Sequence, residues 1–116
     1  MSGSSLNGLE ICCAEFLGDL ASDIWSHRII QAQTIPYTEA WSERLRNAAD
    51  LCGEDLIKLH IDYGHLLGEH VRHFIDVNNI ESVHLIASHG HTVFHQPKRR
   101  LTFQLGEGET IASYVR

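Results

Sequence analysis

The chain changes its hydrophobic period several times. From Leu9 to Phe16 (LEICCAEF), Leu9, Ile11 and Cys13 fall on one side and Cys12, Ala14 and Phe16 on the other, the two-residue period of a strand. Asn7-Gly8, just before it, is the strongest short-range hairpin signal in the sequence, because both residues tolerate positive φ. Only MSGSSL precedes Asn7, so the partner strand of that hairpin is missing, and the pattern predicts a fold that starts before Met1. A turn around Gly18 to Ser22 should lead into a second strand from Trp25 to Ile35, stopped by Pro36. Thr38 can cap a helix running to about Asp50, with Trp41, Leu45 and Ala48 on one side. A longer helix is predicted from about Glu54 to Val77, where Leu56, Leu59, Tyr63, Leu66, Leu67, Val71, Phe74 and Ile75 recur at helical spacing until Asn78-Asn79.

Ser82 to Ser88 (SVHLIAS) is short, apolar and partly β-branched, the pattern of a buried parallel strand. Leu101, Phe103 and Leu105 alternate with Thr102 and Gln104 as another strand, and GEGETIASYVR reads as a loop entering a helix that the chain leaves after about two turns. Strands, then helices, then strands and a helix predict a mixed α/β domain with helices packed on a mixed sheet, cut at both ends.

With 116 residues, 43% of them hydrophobic, the chain suffices for one compact domain and not two. Its net charge of −6 works against binding a nucleic-acid backbone, and the basic run Lys98-Arg99-Arg100 follows Pro97 as a solvated turn. Cys12, Cys13 and Cys52 make an odd number, two of them adjacent, which fits a reducing cytoplasm rather than a disulfide framework. The first residues lack the basic region and long apolar core of a signal peptide, and the charge-free run from Ser82 to Pro97 is too polar to cross a membrane.

Two loops carry candidate chemistry. GSSLNG has the G-x-x-x-x-G spacing of a P-loop, but Leu9 and Glu10 follow where Lys and Ser or Thr are required, and they open a strand instead of a helix. A glycine- and hydroxyl-rich hairpin turn that wraps phosphates with backbone N–H groups is the better match: Gly3 permits close approach, and Ser4 and Ser5 supply hydroxyls. An ordinary surface hairpin remains the plain alternative. In ASHGHTVFHQP, His89 and His91 would share a strand face, and His95 could complete a zinc site with an open position. Gly90 and Pro97 argue against a regular strand there, and the competing reading is a hydrogen-bonded His89 at the end of a strand, where open α/β sheets place ligands. His60, His65, His70 and His73 read as solvated contacts on the long helix, with Asp62, Glu69 and Asp76 near enough to pair with some of them.

Taken together, MSGSSLNGLE resembles M-S-G-[TS]-S-x-D-G-x-D, ASHGHTVFHQP resembles S-H-G-x-T-x-x-H-x-P, and FQLGEGETIA resembles [IL]-G-[DEN]-G-x-x-[IL]-A. In this order they are the signatures of the anhydro-N-acetylmuramic acid kinases of the hexokinase/actin-like superfamily. The resemblance implies a partial actin-like, ribonuclease H-like lobe, forming the N-terminal part of a two-lobe sugar kinase. It further implies ATP and Mg²⁺ as cofactors, a cell-wall sugar opened at its anhydro bridge and phosphorylated, a cytoplasmic place in peptidoglycan recycling, and room for a homodimer in the complete family member. Residue by residue, it assigns Gly3, Ser4, Ser5, Leu6, Asn7, Gly8, Leu9 and Glu10 to the phosphates of ATP. Ser88, His89, Gly90 and Thr92 fall on the sugar side, with His95 in support.

The chain departs from the signatures at Asn7 and Glu10, where members carry Asp, and at His91, where many carry Gln. Asn7 keeps the turn geometry and removes a charge that could order Mg²⁺ or its waters. The family's general base lies in a later F-D-x-G-P-G-N segment that these residues do not contain, so the resemblance transfers no catalytic residue, and the chain by itself is expected to be inactive. Two other readings stand beside it: a non-catalytic module that binds a nucleotide, a sugar or a partner chain, and a small zinc hydrolase built on the three histidines.

Overall fold

The computed structural model describes residues 6–19 and 21–116. Strand β1 (Leu9–Asp19) pairs antiparallel with β2 (Ile24–Ile35), helices α1 (Glu39–Arg46) and α2 (Gly53–Val77) follow, β3 (His91–Gln96) pairs antiparallel with β4 (Leu101–Leu105), and α3 (Gly108–Val115) comes last. The class is mixed α/β, as the order of periods implies.

The β1–β2 turn is tied by Asp19, whose side chain accepts hydrogen bonds from the Ala21 amide and the Ser22 hydroxyl, while Asp23 takes a left-handed φ of 53°. The register slips between Cys13 and Ala14, a bulge that leaves Ile30 as the extra residue on β2. Beyond it the hairpin leaves the core: Phe16, Trp25 and Ile29 are all exposed, and the Trp25 indole covers Gly18 so closely that a β-carbon there would overlap it. Among the described residues the hairpin is anchored at its base, through Leu9, which is buried, and Ile11, which packs against the core.

Thr38 caps α1 as its position predicts, accepting from the Trp41 amide at 3.3 Å. The helix stops at Arg46, and a single 3₁₀ turn (Ala48–Asp50) completes the stretch predicted as continuous helix. Helix α2 carries the core. Leu59, Tyr63 and Leu67 on its buried stripe meet Leu45, Leu105 and Ile111 from the neighbouring elements, and Leu9 from the hairpin base. Although it is 25 residues long, α2 is amphipathic; among the described residues no helix is long and apolar enough to cross a membrane.

Two expectations are corrected. Ser82 to Ser88 is not a parallel strand: it runs without regular structure, with Leu85 82% exposed. A strand draws its backbone hydrogen bonds from a neighbour, and the two sheets among the described residues, β1–β2 and β3–β4, place none beside it. Two separate antiparallel pairs therefore replace the single mixed sheet. The second correction is β3, since part of the stretch read as a histidine-bearing bend is a strand. Its β4 partner compensates for an irregular pattern, with a register slip between Thr92 and Phe94.

Candidate functional site

Of the N-terminal loop, Gly3, Ser4 and Ser5 lie outside the described residues. Leu6 is half-buried, Asn7 and Glu10 are exposed, and Gly8 and Leu9 are buried. Gly8 has φ 155°, and a β-carbon on it would stand 2.5 Å from the Ile35 carbonyl oxygen. The absence of a side chain thus lets the loop enter β1 flush against the end of β2, leaving Asn7 at the surface.

The second loop is held more tightly. Ser88 and His89 are exposed, and the His89 ring Nδ1 lies 3.1 Å from the Gly90 carbonyl oxygen. Gly90 is buried at φ 72°, its α-carbon against Leu105. His91 follows at 4% exposure, its imidazole edge-on to Tyr63 at 6.4 Å. Tyr63, fully buried, shares a 2.6 Å hydrogen bond with the Tyr37 hydroxyl and lies beside the tilted Trp41 ring at 5.9 Å. The three histidines do not converge: His91 points into this aromatic core while His95 is exposed on β3, and among the described residues no three His, Cys, Asp or Glu side chains gather for a metal ion.

The glycine-rich third segment is pinned to α2 by contacts the sequence reading missed. The Gly106 amide donates to His60 Nδ1 at 3.1 Å, and the Glu107 amide donates to the His60 carbonyl oxygen at 3.2 Å. His60, read as a solvated helix residue, is instead half-buried with its ring against Phe103. One helical turn on, Gly64 leaves room for the Glu107 backbone, and Gly68 leaves room for the Tyr114 ring of α3. Gly64-x-x-x-Gly68 on one helix face was the signal available: two missing side chains mark where another element comes close.

Glu107 caps α3. Its carboxylate accepts from the Thr110 hydroxyl at 2.7 Å and from the amides of Thr110 and Glu109. These bonds, the Thr110 hydroxyl first, hold its pKa below the ordinary glutamate range against a small opposing effect of desolvation. Because the folded-state value is the lower one, the cap's contribution is complete above the unfolded glutamate value and is lost as pH falls through the folded one. Glu107→Gln should flatten the acid limb of a pH–stability profile at that window, with little change near neutrality in the profile's shape; acid unfolding scans of the two forms check this.

Two concave regions adjoin the loops. Leu6 from the first loop and His91, Thr92 and Val93 from the second line one open cavity of about 240 Å³, flanked by Leu45 and Arg46 of α1 and by Ala49. Ser88 instead borders a groove of about 570 Å³ between α2, the irregular 80–88 segment and α3, together with Gly106 and Gly108. The structure thus brings Leu6 and Thr92 to one cavity and leaves Ser88 on another, with His89 and Gly90 between them in sequence.

The site is thus built from glycine-rich loops carried on a mixed α/β unit. Comparison with known proteins makes the class specific: the sequence model of the anhydro-N-acetylmuramic acid kinase family matches residues 1–116. Proteins named anhydro-N-acetylmuramic acid kinase are similar to this chain along nearly its whole length. That of Shewanella pealeana is 34% identical over 97% of the chain, that of Paramagnetospirillum magneticum 30% over 99%, and that of Francisella tularensis subsp. novicida 30% over 97%. The chain belongs to the anhydro-N-acetylmuramic acid kinase family. It spans about a third of the length of these relatives, 31% to 32%.

Proposed function

We propose that this chain supplies the N-terminal part of the actin-like lobe of an ATP-dependent sugar kinase, one that hydrolytically opens 1,6-anhydro-N-acetylmuramic acid and phosphorylates it to N-acetylmuramic acid 6-phosphate. The carrying observation is that Leu6 of the N-terminal loop and Thr92 of the histidine loop line one cavity. In the reaction, water adds to the anomeric carbon as the bond from that carbon to the bridging oxygen breaks. The released oxygen takes the γ-phosphoryl group, ADP departs, and the water's proton passes to a general base, for which no residue of this chain fits the family pattern. ATP supplies the phosphoryl group, and Mg²⁺ would balance its charge.

This chain's residues bind and orient. Amides and hydroxyls of Gly3, Ser4, Ser5, Leu6, Asn7, Gly8, Leu9 and Glu10 would surround the phosphates, with Asn7 offering a neutral oxygen toward the hydrated cation where relatives' signatures have a carboxylate. Ser88, His89, Gly90 and Thr92 would shape the sugar side, fixed from below by the buried His91 and Tyr63. A cytoplasmic role in recovering cell-wall sugar follows from that chemistry.

The test is turnover by the native polypeptide carrying these residues, in isotopically heavy water. One heavy oxygen at the anomeric carbon, one phosphoryl group per sugar and one ADP are expected. Phosphorylation without water incorporation, or none at all, overturns the reading. The exchange of Asp for Asn at position 7 favours one alternative, a module that binds nucleotide or sugar without turnover; saturable binding with no ADP release would establish it.

A further inference from the structure

Helix α2 reaches the histidine loop through a contact that the phosphate and sugar assignments leave unused. His60, half-buried on α2, accepts a hydrogen bond at Nδ1 from the Gly106 amide at 3.1 Å. An imidazole nitrogen that accepts carries a lone pair, so the ring proton sits on Nε2. The His60 carbonyl oxygen accepts from the next amide, that of Glu107, at 3.2 Å, and its ring lies 5.5 Å from that of Phe103 on β4. One residue thus takes two consecutive amides of the turn between β4 and α3.

Gly106 passes this hold on. It has φ 112°, and a β-carbon on it would stand 2.9 Å from Leu67, 3.5 Å from Tyr63 and 3.6 Å from the Gly90 α-carbon. The turn therefore lies between α2 and the glycine of the histidine loop. Gly90, at φ 72°, rests in turn on the carbonyl of Leu105, the residue before Gly106. Neither glycine has a side chain to anchor it, and glycine has the most backbone freedom to lose. The β3–β4 ladder does not supply the restraint alone, being a two-stranded pair with a register slip between Thr92 and Phe94. We propose that His60 is a positioning residue: its Nδ1 holds Gly106 against Gly90, so that His89 to Thr92 meet the sugar already ordered. The inference rests on the kinase reading for the identity of the ligand, and adds to it a residue on α2 outside all three sequence signatures.

Two variants of the native polypeptide separate the acceptor from the packing. Asparagine puts an oxygen where the histidine has Nδ1, and leucine puts a methyl group there. His60→Leu should speed amide hydrogen exchange at Gly106 and across Gly90 to Thr92. It should also weaken calorimetric binding of 1,6-anhydro-N-acetylmuramic acid about two- to tenfold, the span of one net hydrogen bond. Affinity for magnesium ATP should stay at the parent value, because the loop assigned to the phosphates is not part of this relay. His60→Asn should return exchange and sugar affinity to near those of the parent. Unchanged exchange over Gly90 to Thr92 in His60→Leu, equal losses of sugar and nucleotide affinity, or an asparagine variant as impaired as the leucine one overturns the role of His60. Exchange requires no sugar, so it keeps the two readings apart. If the parent fails to bind the sugar while the exchange pattern is as expected, the kinase reading falls and the hold of His60 on the loop stands.

Discussion

Replacing Gly90 with alanine is expected to lower stability by about 2–5 kcal/mol, from about 1–2 kcal/mol for a left-handed residue bearing a β-carbon and about 1–3 kcal/mol for overpacking. The new carbon would stand 2.0 Å from the Leu105 carbonyl oxygen, and that oxygen belongs to backbone. No rotamer change relieves the overlap, so β3 and β4 must separate where His91 pairs with Leu105. Both partners are buried, so the disturbance reaches the core, and His89 and Thr92, which flank the glycine and its neighbour, lose their placement. Urea unfolding of the native polypeptide reads the stability loss, and sugar affinity should fall with it. Alanine at Gly108, which meets no atom within 4 Å, is the control and should leave both nearly unchanged.

Tyr63→Ala is the second large effect, at about 3–5 kcal/mol, the range for deleting a buried aromatic side chain. Tyr63 is fully buried, and Tyr37, Trp41 and His91 all direct rings toward it. Removing it would leave a void beneath the histidine loop and take away the partner of the Tyr37 hydroxyl bond. Tyr63→Phe keeps the ring and removes the hydroxyl, so it should cost only about 0.5–1.5 kcal/mol, the net value of one hydrogen bond. Phe16→Ala, on the exposed end of the hairpin, should stay within about 0.5 kcal/mol of the parent. The order of the three urea midpoints, Tyr63→Ala far below Tyr63→Phe and Phe16→Ala, tests whether the core is centred on this tyrosine or spread along the hairpin.

What could be read from the sequence follows from where each element finds its hydrogen bonds. Helix α2 satisfies its backbone internally, so the spacing of Leu59, Tyr63, Leu67 and Phe74 was enough to place it. The Thr38 cap and the Asp19 turn are similarly local. Strands depend on neighbours. SVHLIAS has the composition of a strand and no strand beside it, whereas HTVFHQ looks like a loop and becomes β3 because β4 lies alongside. The site shows the same division. The signature motifs carried Leu6 and Thr92 to a shared cavity, but the supports beneath them were hidden. His60 and Gly64 act at contacts 40 or more positions away in sequence.

In the proposed function the N-terminal loop takes the phosphates and the histidine loop takes the sugar on two sides of one cavity. Amide chemical shifts of the native polypeptide test it most directly, with magnesium ATP and the anhydro sugar added in turn. The nucleotide is expected to perturb Gly3 to Glu10 and the sugar His89 to Thr92, each addition sharpening the response to the other. Nucleotide shifts confined to the groove beside α3, with Gly3 to Glu10 unmoved, would contradict it.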